Sequence, residues 1–269
     1  MAGKKKDTSL LHHLIGSRSL VWNLAKNDIK KKFAGSYFGV VWAFVQPVIT
    51  VLLYWFVFEK GLNSKATDLR TGIEIPFVLW LTAGLVPWFY FQEALNGGTG
   101  VLVEYSYLVK KVVFQIDMLP VVKMISALFT HLFFVAFTMV LFICMGYMPD
   151  WYALQVIYYS FCMILFATGL VYATSAVTVF FRDMKEVVGI LLQIGMWVTP
   201  IMWNFETMVQ IPGWAIAVLK LNPMYYIVSG YRNALINHIG FWENMGITVY
   251  FWVVTAVILF LGTTVFKRL

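Results

Sequence analysis

The chain has 269 residues, of which 61% are hydrophobic and only 12% charged. Soluble domains run at about 45–50% apolar and about 25% charged, and a soluble fold of this length leaves most of its residues in touch with water. With a mean hydropathy of +0.77, the composition excludes a soluble enzyme, a disordered chain and a disulfide scaffold, and leaves an all-α polytopic membrane protein. The net charge of +7 then becomes a matter of where the basic residues sit, not of nucleic acid. Cys144 and Cys162 both fall inside apolar runs and read as small core hydrophobes. Lys4, Lys5 and Lys6 are followed by mixed polar sequence, so no secretory signal peptide is expected.

Residues 1–37 form a cytoplasmic N-terminal segment, and residues 38–269 a single transmembrane domain. Within the first, Trp22, Ala25, Ile29 and Phe33 recur at helical spacing, with Asn23, Asn27, Lys30 and Lys31 largely opposite. This predicts an amphipathic interfacial helix. It serves either as an orientation anchor or as an entrance element for a lipid-linked substrate, to which Trp22, Lys26, Ile29, Lys30 and Phe33 would belong.

About 20 apolar residues are needed to cross the hydrocarbon core. Six stretches are predicted to do so, at about 38–58, 75–92, 122–146, 154–181, 187–203 and 246–266. Pro200 should kink the fifth. The apolar segment between Pro212 and Pro223 is too short to cross and predicts an outer re-entrant piece over about 204–230. Fifteen of the 20 Lys and Arg fall in segments 1–37, 92–123, 182–186 and 267–269. That bias predicts a multi-pass plasma-membrane protein with both termini in the cytoplasm. No internal repeat is visible.

Three further segments stand out. Asn96-Gly97-Gly98-Thr99-Gly100 should break the helix after the second span. A mixed polar and apolar stretch follows over 101–116, with Glu104, Tyr105, Tyr107, Lys110 and Lys111. It packs either on its own protein or against a partner's groove. The inner turn Arg182-Asp183-Met184-Lys185-Glu186 is either a solvated turn or a contact element. From Thr199 to Phe241 the chain gathers Trp203, Asn204, Trp214, Tyr225, Tyr226, Tyr231 and Arg232, preceded by Trp197. These form either an interfacial aromatic belt or a lining for sugar rings. His131 lies near mid-span and is either a hydrogen-bonded core residue or a functional group. Glu93 and Lys123 lie near inner span ends and could snorkel.

No G-x-x-x-x-G-K-[ST] occurs, so the chain should hydrolyse no ATP itself. The four histidines form no metal-ligand cluster, and no G-x-S-x-G elbow is present. No cofactor or metal is expected in the chain. A membrane-embedded enzyme acting on lipid-linked sugars and a proton-driven transporter are the competing classes, and both want more polar groups in the spans.

Several stretches carry a resemblance. Leu24 to Lys30, Gly35 to Trp42 with Gln46-Pro47, Ala83 to Trp88, Phe181-Arg182-Asp183, Thr199 to Trp203, Leu221 to Met224 and Tyr231-Arg232 arrive in the order found in ABC-2 type permeases of polysaccharide and teichoic acid exporters. The chain resembles that family over nearly its whole length. The run Leu53 to Phe58 leans toward the teichoic acid translocation permease; O-antigen and capsular polysaccharide permeases are the alternatives. One departure is Phe114-Gln115-Ile116-Asp117, where many relatives carry Phe-Pro-Arg-Glu. The resemblance implies a homodimer of six-span permeases with two separate ATPase subunits, which bind the ATP and Mg. It further implies coupling to those subunits through 101–116 (Glu104, Tyr105, Tyr107, Lys110, Lys111) and 182–186 (Arg182, Asp183, Lys185, Glu186). It also implies an entrance at the N-terminal helix and a path along Trp42, Trp88, Trp197, Pro200, Trp203 and Tyr225.

Overall fold

The computed structural model describes residues 18–109, 116–203 and 212–268. Lys110, Lys111 and Asn204 lie outside the described residues, as do parts of the predicted contact stretch and re-entrant piece. Eleven helices are described: α1 (Arg18–Lys32), α2 (Trp42–Trp55), α3 (Phe77–Thr99), α4 (Val101–Glu104), α5 (Ser106–Val109), α6 (Met118–Cys144), α7 (Gln155–Phe180), α8 (Met184–Val198), α9 (Gly213–Lys220), α10 (Pro223–Arg232) and α11 (Met245–Arg268). One small antiparallel hairpin, β1 (Ala66–Thr67) and β2 (Glu74–Ile75), pairs Ala66 with Ile75 and Thr67 with Glu74.

Four helical stretches are long and apolar enough to cross a bilayer: Gly39–Gly61 around α2, Met118–Cys144, Trp151–Phe180 around α7, and Met245–Arg268. The second predicted span appears as α3, which is the centre of the fold. Eighteen of its 23 residues are buried, against only Val51 in α2. α6, α7, α8 and α10 pack around it. α7 and α11 cross so closely that a side chain on Gly262 would overlap the Gly169 carbonyl; small residues allow this kind of approach between membrane helices.

Two expectations are corrected. The glycines at 97 and 98 do not break the helix; α3 continues to Thr99. Val171 of α7 occupies the space where a Gly98 side chain would stand, so the missing Cβ serves packing. Pro200 does not kink the fifth stretch, because α8 has already ended at Val198. Thr199 is extended, at φ −75° and ψ 127°, the conformation imposed on a residue preceding proline.

The helix ends sort into two faces. On one, α1 packs on the start of α6 through Val21, Ala25, Met118 and Val122. Tyr105 of the α4–α5 segment packs beside it, against Val101, Leu102 and Leu119. On the opposite face the hairpin loop meets the turn after α10, where the Leu69 amide donates to Asn237 Oδ1 at 3.0 Å. Asp150 lies 2.7 Å from His238 on the same face.

Candidate functional site

A cavity of about 810 Å³ opens on the α1 face, walled by α1, α2, α3 and α6. Phe33, Trp42, Pro47, Tyr54 and Phe89 supply apolar and aromatic wall; Gln46, Gln92, Asn96, Lys31, Lys32 and Glu93 supply polar wall. Aromatic faces with a few placed polar groups are the usual makeup of a small-molecule or sugar site. Lys32 Nζ reaches Glu93 at 2.7 Å, linking α1 to α3 across the cavity. Glu93 therefore pairs within the protein instead of snorkelling.

Asp28, Glu104, Lys123 and Ser126 also line this cavity. Lys123 Nζ lies 2.6 Å from Asp28 Oδ1 and 2.9 Å from Glu104 Oε2. The Tyr105 hydroxyl donates to Asp28 Oδ1 at 2.8 Å, and Ser126 donates to the Ala25 carbonyl at 3.0 Å. Burial and the bond to Asp28 raise the Tyr105 phenol above its ordinary range, so it remains a donor. Removing one partner of such a buried pair costs about 3–5 kcal/mol, whereas replacing both with apolar groups is often neutral.

The stripe of α1 that packs on the protein is Val21, Ala25 and Asp28; of the stripe predicted to face the membrane interface, Ala25 is shared, Trp22 is exposed, and Ile29 and Phe33 are half-buried. Trp22 is exposed, with its ring 5.1 Å from Phe129 of α6; Lys26 lies 5.2 Å from the Trp22 ring, and Lys30 is exposed. The apolar stripe thus borders the packed face while a carboxylate fills it, because Tyr105 and Lys123 converge there. Lys123, expected to snorkel, is held by its two carboxylates. Asp28 was missed as a site residue, although a lone acid spaced three and seven residues from Ala25 and Val21 was a visible signal.

Tyr105 is corrected likewise. It is 2% exposed and faces Asp28, so it presents no docking surface. Tyr107 is exposed; Lys31 lies within 5.6 Å of its ring and 5.3 Å of the Tyr105 ring. Arg182, Asp183, Lys185 and Glu186 are exposed. The Lys185 side chain fills the space a Gly100 side chain would need, so the 182–186 turn abuts the end of α3.

The predicted aromatic path divides. Trp42 lines the cavity. Trp88 is a core residue instead, 2% exposed and packed on Gly195. Pro200 is buried also, and its carbonyl accepts from Arg232. Trp197 is exposed and Trp203 half-buried, and the Trp203 indole donates to the Trp197 carbonyl at 2.8 Å. Tyr225 lines a separate small cleft of about 90 Å³ beside Tyr226 and Phe241. His131 is buried, with Nε2 3.1 Å from the Tyr231 hydroxyl and 3.2 Å from Ser160 Oγ. Among the described residues no group of His, Cys, Asp and Glu could hold a metal ion.

Long apolar helices, four of them long and apolar enough to cross a bilayer, with an open cavity of charged and aromatic lining at one face, are the makeup of a polytopic membrane protein. Residues 19–236 match the model of the ABC-2 type transporter family. The chain belongs to that family and is a transporter's membrane component. It is 25% identical over 229 residues to the O-antigen export system permease protein RfbA of Myxococcus xanthus, covering 85% of each chain. It is 20% identical over 250 residues to the protein of that name from Klebsiella pneumoniae, covering 91% of this chain and 90% of that one.

Proposed function

We propose that the chain is the permease subunit of an ABC exporter that moves a lipid-linked surface polysaccharide from the cytoplasmic to the outer face of the plasma membrane. A separate subunit binds Mg and hydrolyses the ATP. The observation that carries this reading is the cavity of about 810 Å³ beneath α1, with its mixed aromatic and charged wall, in a chain of a transporter family. An amphipathic helix beside such a cavity suits a substrate with a lipid tail and a polar head.

The names of the relatives support an O-antigen-type polymer. The wall teichoic acid expectation rests on the Leu53 to Phe58 run alone. In this reading α2, α3, α6, α7, α8 and α11 make six crossings, and the outer re-entrant piece ends in α9 and α10. The excess of Lys and Arg in segments 1–37, 92–123, 182–186 and 267–269 supports a cytoplasmic location for both termini. A second copy of the chain and two ATPase subunits complete the exporter in this reading. In this reading Glu104, Tyr107 and the 182–186 segment are assigned to the ATPase contact, their exposure being what supports it, and Trp42, Trp197, Trp203 and Tyr225 are the remaining aromatic candidates along the path.

The test is reconstitution in vesicles with and without the ATPase partner. Transfer of a lipid-linked O-polysaccharide should require the partner and ATP, and the chain alone should hydrolyse none. ATP hydrolysis by the chain alone, or transfer driven by a proton gradient without nucleotide, overturns the proposal.

A further inference from the structure

The cluster at Asp28 joins three parts of the protein that are separate in sequence. Asp28 lies on α1, Glu104 and Tyr105 follow α3, and Lys123 lies in the first turns of α6. All four meet through one carboxylate oxygen and one ammonium group: Tyr105 and Lys123 both reach Asp28 Oδ1, at 2.8 Å and 2.6 Å, and Lys123 turns its other side to Glu104 at 2.9 Å.

Stability does not explain an acid at this position. Its neighbours on the stripe are Val21 and Ala25, which pack on Met118 and Val122. An apolar residue at 28 would extend that packing, and a buried pair gains little over an apolar one. What the acid adds is direction. A shared oxygen with two short bonds permits one placement of Tyr105 relative to α1. Asp28, Glu104 and Lys123 line the cavity, so a shift of α1 relative to α4 changes its wall.

We infer that Asp28 is the positioning residue that ties α1 to the α4–α5 segment, so that a push on that segment from below moves α1 and reshapes the cavity. The inference rests on the exporter reading, which supplies the ATPase that pushes. In this role Asp28 acts through Tyr105 and Lys123. The neutral wall contacts of Trp42 and Gln46 are untouched by it.

The test uses the complete permease–ATPase complex in vesicles, reading polysaccharide exported per ATP hydrolysed. Spin labels at Lys26→Cys on α1 and Val257→Cys on α11 report the movement of α1 on ATP binding. Asp28→Asn should keep the complex and its ATP hydrolysis, lose the ATP-dependent change in label distance, and lower export per ATP by about tenfold, within the usual range of coupling between sites. Tyr105→Phe removes a single hydroxyl and should give a smaller loss in the same direction. The double variant Asp28→Leu with Lys123→Leu restores packing without the tie, and export should stay low. Export restored by that double variant would mean a packing role only and overturns the inference. So would an Asp28→Asn or Tyr105→Phe complex with wild-type label shift and export per ATP. A wild-type complex that exports nothing with ATP sinks the exporter reading itself.

Discussion

Arg232 donates to the Pro200 carbonyl at 2.6 Å, and its other terminal nitrogen to the Ile201 carbonyl at 2.7 Å. One buried guanidinium thereby holds the chain where α8 has stopped. Its carbon lies 3.3 Å from the centroid of the Trp80 ring, and Gly84 leaves the room it needs. Asn222 braces the same place, donating to Thr199 at 2.8 Å while its side-chain oxygen accepts from the Met224 amide at 3.0 Å. Three stretches distant in sequence, α3, residues 199–201 and the two ends of α10, thus converge on one irregular turn, where an unsatisfied backbone would otherwise be costly.

Arg232→Lys should therefore destabilise the protein although charge is kept. A lysine cannot reproduce the planar fork, and each buried carbonyl left without a donor costs about 1–3 kcal/mol. Thermal unfolding of the purified protein in detergent measures this. Unchanged unfolding would mean that the carbonyls of Pro200 and Ile201 find other donors.

Gly98→Val should also destabilise, by forcing α3 from α7 at Val171. Overpacking of this kind costs about 1–3 kcal/mol. Gly97→Ala is the control: its added carbon would meet Lys123 at 3.6 Å, an ordinary contact. The prediction fails if the two variants unfold at the same temperature.

The long apolar stretches were legible because span length and hydropathy are properties of the sequence alone. Four of the six predicted stretches fall in helices long and apolar enough to cross, and the other two, 75–92 and 187–203, fall largely in α3 and α8, which are not among those four. The glycines at 97 and 98 were misread because a gap for a neighbour's side chain and a turn use the same residue. Tyr105 and Asp28 show the other limit. Tyr105 was assigned to the coupling stretch and Asp28 to no site, and only their bond, between residues far apart in sequence, brings them together in the packed interior. The cavity itself was not legible: Phe33, expected at an entrance helix, and Trp42, expected along a path, both line it, whereas Glu93 and Lys123 gained their partners from tertiary structure.

The hairpin loop should respond to acid. Burial raises Asp68, but hydrogen bonds from the Thr71 hydroxyl and from the amides of Arg70 and Thr71 outweigh it and hold the carboxyl below its usual range. A depressed folded value means stability that is present above the unfolded value of about 3.9 and lost as pH falls through the folded one. Hydrogen exchange at Arg70 and Thr71, corrected for intrinsic rates, should show protection dropping only in that acid window. Asp68→Asn should show weaker protection at neutral pH and no such step. Protection that persists well below the window would remove Asp68 as the cause.

Tyr107→Asp tests which of two neighbouring tyrosines meets the partner. Tyr107 is 51% exposed and Tyr105 2%, although their ring centroids are only 6.0 Å apart. An exposed tyrosine on a short helical segment is a good anchor for a protein surface, and losing one such anchor costs more than about 1 kcal/mol. An added carboxylate would also pull on Lys31, whose Nζ already lies 3.4 Å from the Tyr107 hydroxyl. Tyr107→Asp should therefore reduce co-purification of the ATPase subunit with little change in unfolding temperature, whereas Tyr105→Phe should leave co-purification intact. If Tyr107→Asp retains the ATPase at wild-type levels, the docking surface lies elsewhere, and the exposed 182–186 turn becomes the next place to probe.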